Sequence, residues 1–257
     1  MTKNKKPFTT VLITGASSGI GEATARLLLK NGYQVYAAAR RVDHMKELEK
    51  LGATIIGMDI TNIQQINECV SKIISKSGGI DVLINNAGYG SLGSVEEVPI
   101  DEARRQFEVN VFGMAQLTQQ ILPYMREKQR GRIINISSVG AKIYQPLAGW
   151  YHATKFALEG LSDSLRIEVK EFGIDVVIIE PGPIRTEWDS IALDNLSKSS
   201  KNGPYHRIAS GMAKNFKLFY SHRLASIPEH VAKVILKSVK ASRPRTRYAA
   251  GRGAKLM

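Results

Sequence analysis

Short apolar runs alternate with longer stretches of helical periodicity along almost the whole chain, and this alternation constrains the fold more than any other feature. Strands are expected at Phe8 to Thr14, Gln34 to Ala39, Thr54 to Met58, Ile80 to Ile84, Arg132 to Ile136 and Asp175 to Ile179, with a weaker one at Arg247 to Ala250. Helical patterns fill the gaps at Ile20 to Lys30, His44 to Leu51, Ile63 to Ser75, Ile100 to Glu127, Trp150 to Glu171 and Pro228 to Val239. Runs that are apolar at consecutive positions need cover on both faces, and intervening helices make the strands run parallel. The expected fold class is therefore α/β, a parallel sheet with helices on both sides. The chain's 257 residues, 43% of them hydrophobic, supply a core for one large domain of this kind or two small ones. Asp189 to Arg223 departs from the pattern. It is polar, rich in Ser, Lys and Asn, and reads as a long irregular insertion of the kind that forms a substrate lid.

Several classes of function are not expected. No apolar run is long enough to span a membrane, and Met1 to Pro7 is charged and lacks the apolar stretch of a secretory signal. Cys69 is the only cysteine, which excludes an internal disulfide and fits a reducing cytoplasm. The formal net charge of +13 allows an anionic partner. Its basic residues are, however, spread along the chain and interleaved with acidic ones, and the densest stretch, Lys237 to Lys255, has no zinc-finger spacing or heptads. Nucleic-acid binding is not expected, nor is a metal site.

Thr14-Gly15-Ala16-Ser17-Ser18-Gly19-Ile20-Gly21 falls between the first strand and the first helix. Gly15, Gly19 and Gly21 let the backbone turn sharply and let a pyrophosphate approach a helix N-terminus. Ser17 and Ser18 can bind phosphate or cap the helix. The second strand ends Ala38-Ala39-Arg40-Arg41, with no carboxylate to take ribose hydroxyls. A guanidinium at Arg40 or Arg41 suits the 2′-phosphate of NADP(H), although both are also ordinary surface charges. Asp43 nearby is expected to cap the next helix. Asp59 and Ile60, past the third strand, can meet an adenine, although Asp59 is as easily a turn residue. Asn86, Ala87 and Gly88, past the fourth, suit close approach to a ligand or form a helix-capping turn.

Tyr151 and Lys155 are four residues apart in an expected helix and so share a face. An ammonium beside a phenol lowers the phenol's pKa and lets it act as acid and base near neutrality. Ser138, just past a strand, can donate to a carbonyl oxygen as charge grows there. Asn110, midway along a helix, needs its amide satisfied, either by a water shared with Lys155 or by nearby backbone.

Jointly these motifs, with Pro181-Gly182 and Thr186, resemble the short-chain dehydrogenase/reductase family over roughly Thr10 to Thr186, with none of the motif residues substituted. The resemblance implies a single Rossmann-like, doubly wound domain over residues 1–257 with seven parallel strands. It implies Ser138, Tyr151 and Lys155 as the catalytic set, Asn110 as a water-relay residue, Lys155 also on the nicotinamide ribose, and Ile184 and Thr186 on the carboxamide. Family members are usually homodimers or homotetramers. Within the family, Lys142-Ile143-Tyr144-Gln145-Pro146-Leu147-Ala148-Gly149-Trp150 is similar to 17β-hydroxysteroid, retinol and acyl-dihydroxyacetone-phosphate enzymes, which favour apolar substrates. The implied function is NADP(H)-dependent interconversion of a ketone or aldehyde and an alcohol. A cofactor-sensing regulatory protein without turnover is the alternative.

Overall fold

The computed structural model describes residues 8–200, 203–220 and 225–254. Residues 1–7, residues 201–202 and 221–223 of the polar segment, and Lys255 of the basic stretch lie outside the described residues.

Seven strands form one parallel sheet: β1 (Thr10–Thr14), β2 (Gln34–Ala39), β3 (Thr54–Gly57), β4 (Val82–Asn85), β5 (Gly131–Ile136), β6 (Ile174–Pro181) and β7 (Arg247–Ala250). Their order across the sheet is β3-β2-β1-β4-β5-β6-β7. Val11 of β1 stands between Val35 of β2 and Val82 of β4. Successive residues of a strand face opposite sides, and both sides are buried. Val11 and Ile13 pack into a cluster with Ala25, Leu28, Val231 and Ile235. Leu12 packs into a second cluster with Ile66, Leu117 and Ile121. The first cluster belongs to helices α1 (Gly19–Lys30) and α9 (Pro228–Lys240), the second to α3 (Ile63–Ser77) and α5 (Gly113–Glu127).

Local signals set the helix ends. Asn62 caps α3 by accepting a hydrogen bond from Gln65 N at 3.1 Å, and Gly78 closes it in the left-handed conformation. Between β2 and β3, the helical stretch begins as a 3₁₀ turn at Val42–Met45 and continues as α2 (Lys46–Lys50). Asp43 does not cap it; its carboxylate pairs with Lys46 at 2.6 Å. The expected Ile100 to Glu127 helix is continuous but not uniform. α4 (Ile100–Phe107) passes through a π turn at Glu108–Phe112 into α5. Helix α6 (Gly149–Glu168) follows β5.

The segment expected to be an irregular insertion is helical. α7 (Glu187–Ser200) and α8 (His206–Phe219) pack through Ala192, Leu196 and Ala209 onto Leu92, Leu147 and Ala148. Its polar composition belongs to the outward faces, while small and aliphatic side chains at helical spacing form a separate minor core.

Arg132 in β5 is 2% exposed and is satisfied on all sides. It pairs with Asp175 of β6 at 2.6 Å and donates to the carbonyls of Val239 and Ala241, each at 2.9 Å, at the end of α9. A cation there also meets the negative end of the helix dipole.

Candidate active site

Loops leave the carboxyl ends of the parallel strands on one edge of the sheet. Strand order reverses between β1 and β4, so the loops part there and open a crevice. A cavity of about 900 Å³ occupies it, running from Ser17, Arg40 and Asp59 at one end to Ile143, Met212 and Phe216 at the other.

The glycine loop forms the floor of the first end. At Gly21 a Cβ would fall 2.2 Å from the Gly15 carbonyl oxygen, so a side chain there is excluded by backbone. Gly19 has φ +56°, and a Cβ on it would press to 2.9 Å against Thr186 Cγ2 across the cleft. Gly15, Ser17, Ser18, Gly19 and Ile20 line the cavity, whereas Gly21 does not and serves the turn alone. Asn86 braces the loop: its amide donates to the carbonyls of Thr14 at 2.9 Å and Gly15 at 3.2 Å. Asn86, Ala87 and Gly88 also face the cavity. Ser18 holds the N-cap position of α1, but its side chain makes no capping bond. Its hydroxyl accepts from Arg41 at 3.1 Å.

Arg40 and Arg41 both line this end. Arg40 approaches Asp59 at 4.0 Å. Asp59 Oδ1 accepts from the backbone and hydroxyl of Thr61 at 3.0 and 2.8 Å. Burial works against its charge, but those two bonds and Arg40 hold its carboxyl below the usual range. Ile60 lies beside it in the wall. Arg41 donates to Glu187 at 2.6 Å. At the far wall, Pro181 ends β6 with Gly182 just past it, Ile184 bridges to Ser226, and Thr186 Oγ1 accepts from Trp188 N at 3.2 Å.

Tyr151, Lys155 and Ser138 meet in the middle of the cavity. The Ser138 hydroxyl is hydrogen-bonded to Tyr151 and accepts from Gly140 N at 3.0 Å. Lys155 Nζ donates to the Ile136 carbonyl at 2.9 Å and lies 5.9 Å from the centroid of the Tyr151 ring. The electrostatic balance differs from the sequence expectation. Burial pushes the Tyr151 phenol up to about 12, against the smaller lowering effect of Ser138. Burial pulls Lys155 down to about 8, with Glu159 opposing it. Desolvation thus outweighs the Ser138 bond at Tyr151, and the phenol holds its proton.

Asn110 sits at the centre of the π turn and is buried. Its amide is spent on backbone and Thr154: Nδ2 donates to Tyr89 O at 2.9 Å and Thr154 Oγ1 at 3.1 Å, and Oδ1 accepts from Tyr89 N at 3.0 Å. This is the backbone satisfaction weighed in the sequence, from a strand-end loop 21 residues away. Asn110 does not line the cavity but stands behind it. A methyl placed on Gly88 would sit 3.1 Å from Asn110 Oδ1 and 3.9 Å from Lys155 Nζ.

The sequence reading did not single out the aromatic roof. Trp188 of α7 tilts over Tyr151 with centroids 5.2 Å apart, and Phe216 and Tyr220 stack against Trp188 at 6.1 and 6.2 Å. It also missed Glu187, which follows Thr186 directly, and Glu159, which continues the four-residue spacing of Tyr151 and Lys155.

Comparison with known proteins places this architecture. A family model described as short chain dehydrogenase matches residues 9–195, and the chain belongs to that family. It is accordingly an oxidoreductase of the carbonyl–alcohol type. It is 37% identical to a 3-ketodihydrosphingosine reductase of Bacteroides thetaiotaomicron, over 94% of this chain and 87% of that one. A short-chain dehydrogenase from Streptomyces avermitilis superposes with TM-score 0.83 at 31% identity, covering 99% of this chain and 91% of the other. A serine dehydrogenase complexed with NADP+ superposes with TM-score 0.82 at 26% identity, covering 95% and 94%.

Proposed function

We propose that this chain is an NADP(H)-dependent reductase of apolar ketones or aldehydes, with Tyr151 as proton donor. The observation that carries the reading is the meeting of Ser138, Tyr151 and Lys155 midway along one cavity. Glycine backbone and arginines lie on one side of them and an apolar chamber on the other. The residues present fit a dinucleotide. A cradle closed to side chains at Gly21 gives the pyrophosphate its approach, and Ala39 followed by Arg40 and Arg41 favours a 2′-phosphate over bare ribose hydroxyls. Asp59 and Ile60 would flank the adenine, Asn86 to Gly88 the middle of the cofactor, Lys155 the second ribose, and Ile184 and Thr186 the carboxamide beside Pro181 and Gly182. Bound there, the nicotinamide supplies the hydride in reduction and takes it up in oxidation. The neighbour complexed with NADP+ supports the cofactor choice.

The chain's own residues then handle the proton. A phenol held at about 12 is protonated at neutral pH, which suits the donor role in reduction. Ser138 donates to the same carbonyl oxygen and fixes it beside Tyr151. The Lys155 ammonium stabilises the phenolate left behind, and in this reading Asn110, behind Gly88, is the residue through which a water would return the proton to Lys155.

Charged side chains line the cofactor side, at Arg40, Arg41, Asp59 and Glu187, whereas the other carries Ile143, Pro146, Ile191 and Met212 with the uncharged Gln145 and Asn215. That division supports a carbonyl on an apolar, lipid-, steroid- or retinoid-like body. The relative named for 3-ketodihydrosphingosine puts a keto-lipid first among compounds to try. The reading includes the homodimer or homotetramer expected of the family and a cytoplasmic location. The test is a panel of keto-lipids, steroids, retinal, fatty aldehydes and small diketones with NADPH and NADH, followed at the nicotinamide absorbance. Turnover of apolar members with NADPH supports it, and turnover only of small polar carbonyls, or only with NADH, contradicts it.

A further inference from the structure

Tyr151, Lys155 and Glu159 follow one another at intervals of four along α6, so one face of the helix carries all three. Glu159 is 5% exposed. A buried carboxylate is costly unless paired and hydrogen-bonded, and this one is partnered from three elements. Ser137, next to Ser138, donates to Oε1 at 2.8 Å. Lys142, in the segment leading from Ser138 to α6, lies 2.6 Å from Oε2, and Arg247 of β7 lies 3.3 Å from the same oxygen. Glu180, at the end of β6, faces the same cations, 3.5 Å from Lys142 and 3.3 Å from Arg247. Asp163, four residues beyond Glu159 on α6, pairs with Arg247 and Arg166.

These contacts join the segments that carry the chemistry: α6 with Tyr151 and Lys155, the turn with Ser138, and the strand end that leads into Pro181. We propose that Glu159 is a positioning residue for the reaction, acting on the Lys155 ammonium from one helical turn away and tying the Ser138 turn to α6. The proposal rests on reading Tyr151 and Lys155 as the catalytic pair. The groups facing Lys155 are Tyr151 on its own helix, the Ile136 carbonyl of β5 and Asn110 of the π turn behind Gly88. Glu159 is the carboxylate whose field opposes the loss of its proton, and its own charge is shared with Lys142 and Arg247.

The test uses isotope-labelled lysine and reads the titration of Lys155 by nuclear magnetic resonance, its signal assigned by loss in Lys155→Met. Glu159→Gln keeps the shape and an oxygen for Ser137 but removes the charge. The Lys155 midpoint is expected to fall by about one pH unit, a roughly tenfold change in the protonation equilibrium. Glu159→Asp restores part of it, and Lys142→Gln moves it the other way. The alkaline limb of kcat/KM for carbonyl reduction moves with the midpoint in each variant. An unchanged midpoint in a Glu159→Gln protein that melts as a folded chain overturns the proposal. If that variant does not fold, Lys142→Gln decides it: an upward shift supports the proposal and no shift overturns it. Absence of turnover in the unsubstituted protein contradicts the assigned reaction, while the titration still decides the role of Glu159.

Discussion

Arg41 and Glu187 are bonded at 2.6 Å across the mouth of the cofactor end, 146 residues apart in sequence. The first residue of α7 therefore holds a guanidinium that the proposed cofactor would claim for its phosphate. Both side chains are close to half exposed, 45% and 48%, so the pair itself contributes little, about 0–1 kcal/mol. A 2′-phosphate with nearly two charges competes well against one exposed carboxylate. Arg41→Ala is expected to weaken NADPH binding roughly ten- to a hundredfold, since a charge-assisted bond is worth ~1.5–3 kcal/mol. NADH binding should change little. Glu187→Gln should tighten NADPH, and calorimetry with both cofactors checks each variant.

Cofactor preference should also reverse by design. Ala39→Asp combined with Arg40→Gln and Arg41→Gln supplies a carboxylate for ribose hydroxyls and removes the cations. The kcat/KM ratio for NADPH over NADH is expected to fall below one. A ratio still favouring NADPH would mean that other groups read the phosphate.

Reduction should lose activity as pH rises through the Lys155 titration. Lys155 is charged below about 8 and neutral above it, and the neutral amine no longer stabilises the departing phenolate. The pH profile of kcat/KM should fall near pH 8, and Lys155→Met should flatten that limb while lowering the plateau ~10²-fold or more. The same group links to stability. Between about 8 and 10.5 the unfolded chain holds this proton and the folded one does not, so the contribution of Lys155 to stability rises with pH across that window. Lys155→Met removes that rise, which denaturant titrations at pH 8 and 10 would detect.

Most of the sheet was readable because a doubly covered strand is apolar at every position. Gln34–Ala39 and Arg247–Ala250 match the expected strands residue for residue. The site's loops were readable because glycines, paired amides and the Tyr–Lys spacing are local patterns. What escaped was non-local or weakly amphipathic. α7 has Ser, Asp, Asn and Lys on most of its surface, and its buried side is marked only by Ala192, Leu196 and the polar Ser200. The π turn around Asn110 leaves no local sequence signal distinguishing it from α-helix. The Arg41–Glu187 contact depends on how α7 returns over the glycine loop, which no window of sequence contains.

The aromatic roof should tie lid and substrate together. Trp188→Ala removes the ring that stacks on Phe216 and Tyr220 and tilts over Tyr151. Hydrogen exchange in α7 and α8 is expected to slow when an apolar substrate binds, and Trp188→Ala should abolish most of that slowing and raise KM about tenfold, near 1.4 kcal/mol. Strong, equal protection with and without substrate would make these helices fixed structure.

Arg132 offers a check on the fold itself. Replacing it with Met leaves Asp175 and the carbonyls at the end of α9 without their shared donor. The loss is expected at about 1–3 kcal/mol, chiefly from the buried carbonyls left without a donor since Asp175 is 40% exposed to water, and is read from urea midpoints with unchanged slope.

The account turns on Tyr151 as the proton donor, and the most direct measurement is single-turnover oxidation of NADPH by an apolar ketone in the unsubstituted protein and in Tyr151→Phe. The variant loses only a hydroxyl, so its melting temperature and NADPH affinity should stay close to those of the parent. The hydride-transfer rate should fall by roughly 10²–10⁴-fold, the usual contribution of a positioned acid. A variant that binds NADPH normally and keeps more than about a tenth of the parent rate would show that another group supplies the proton.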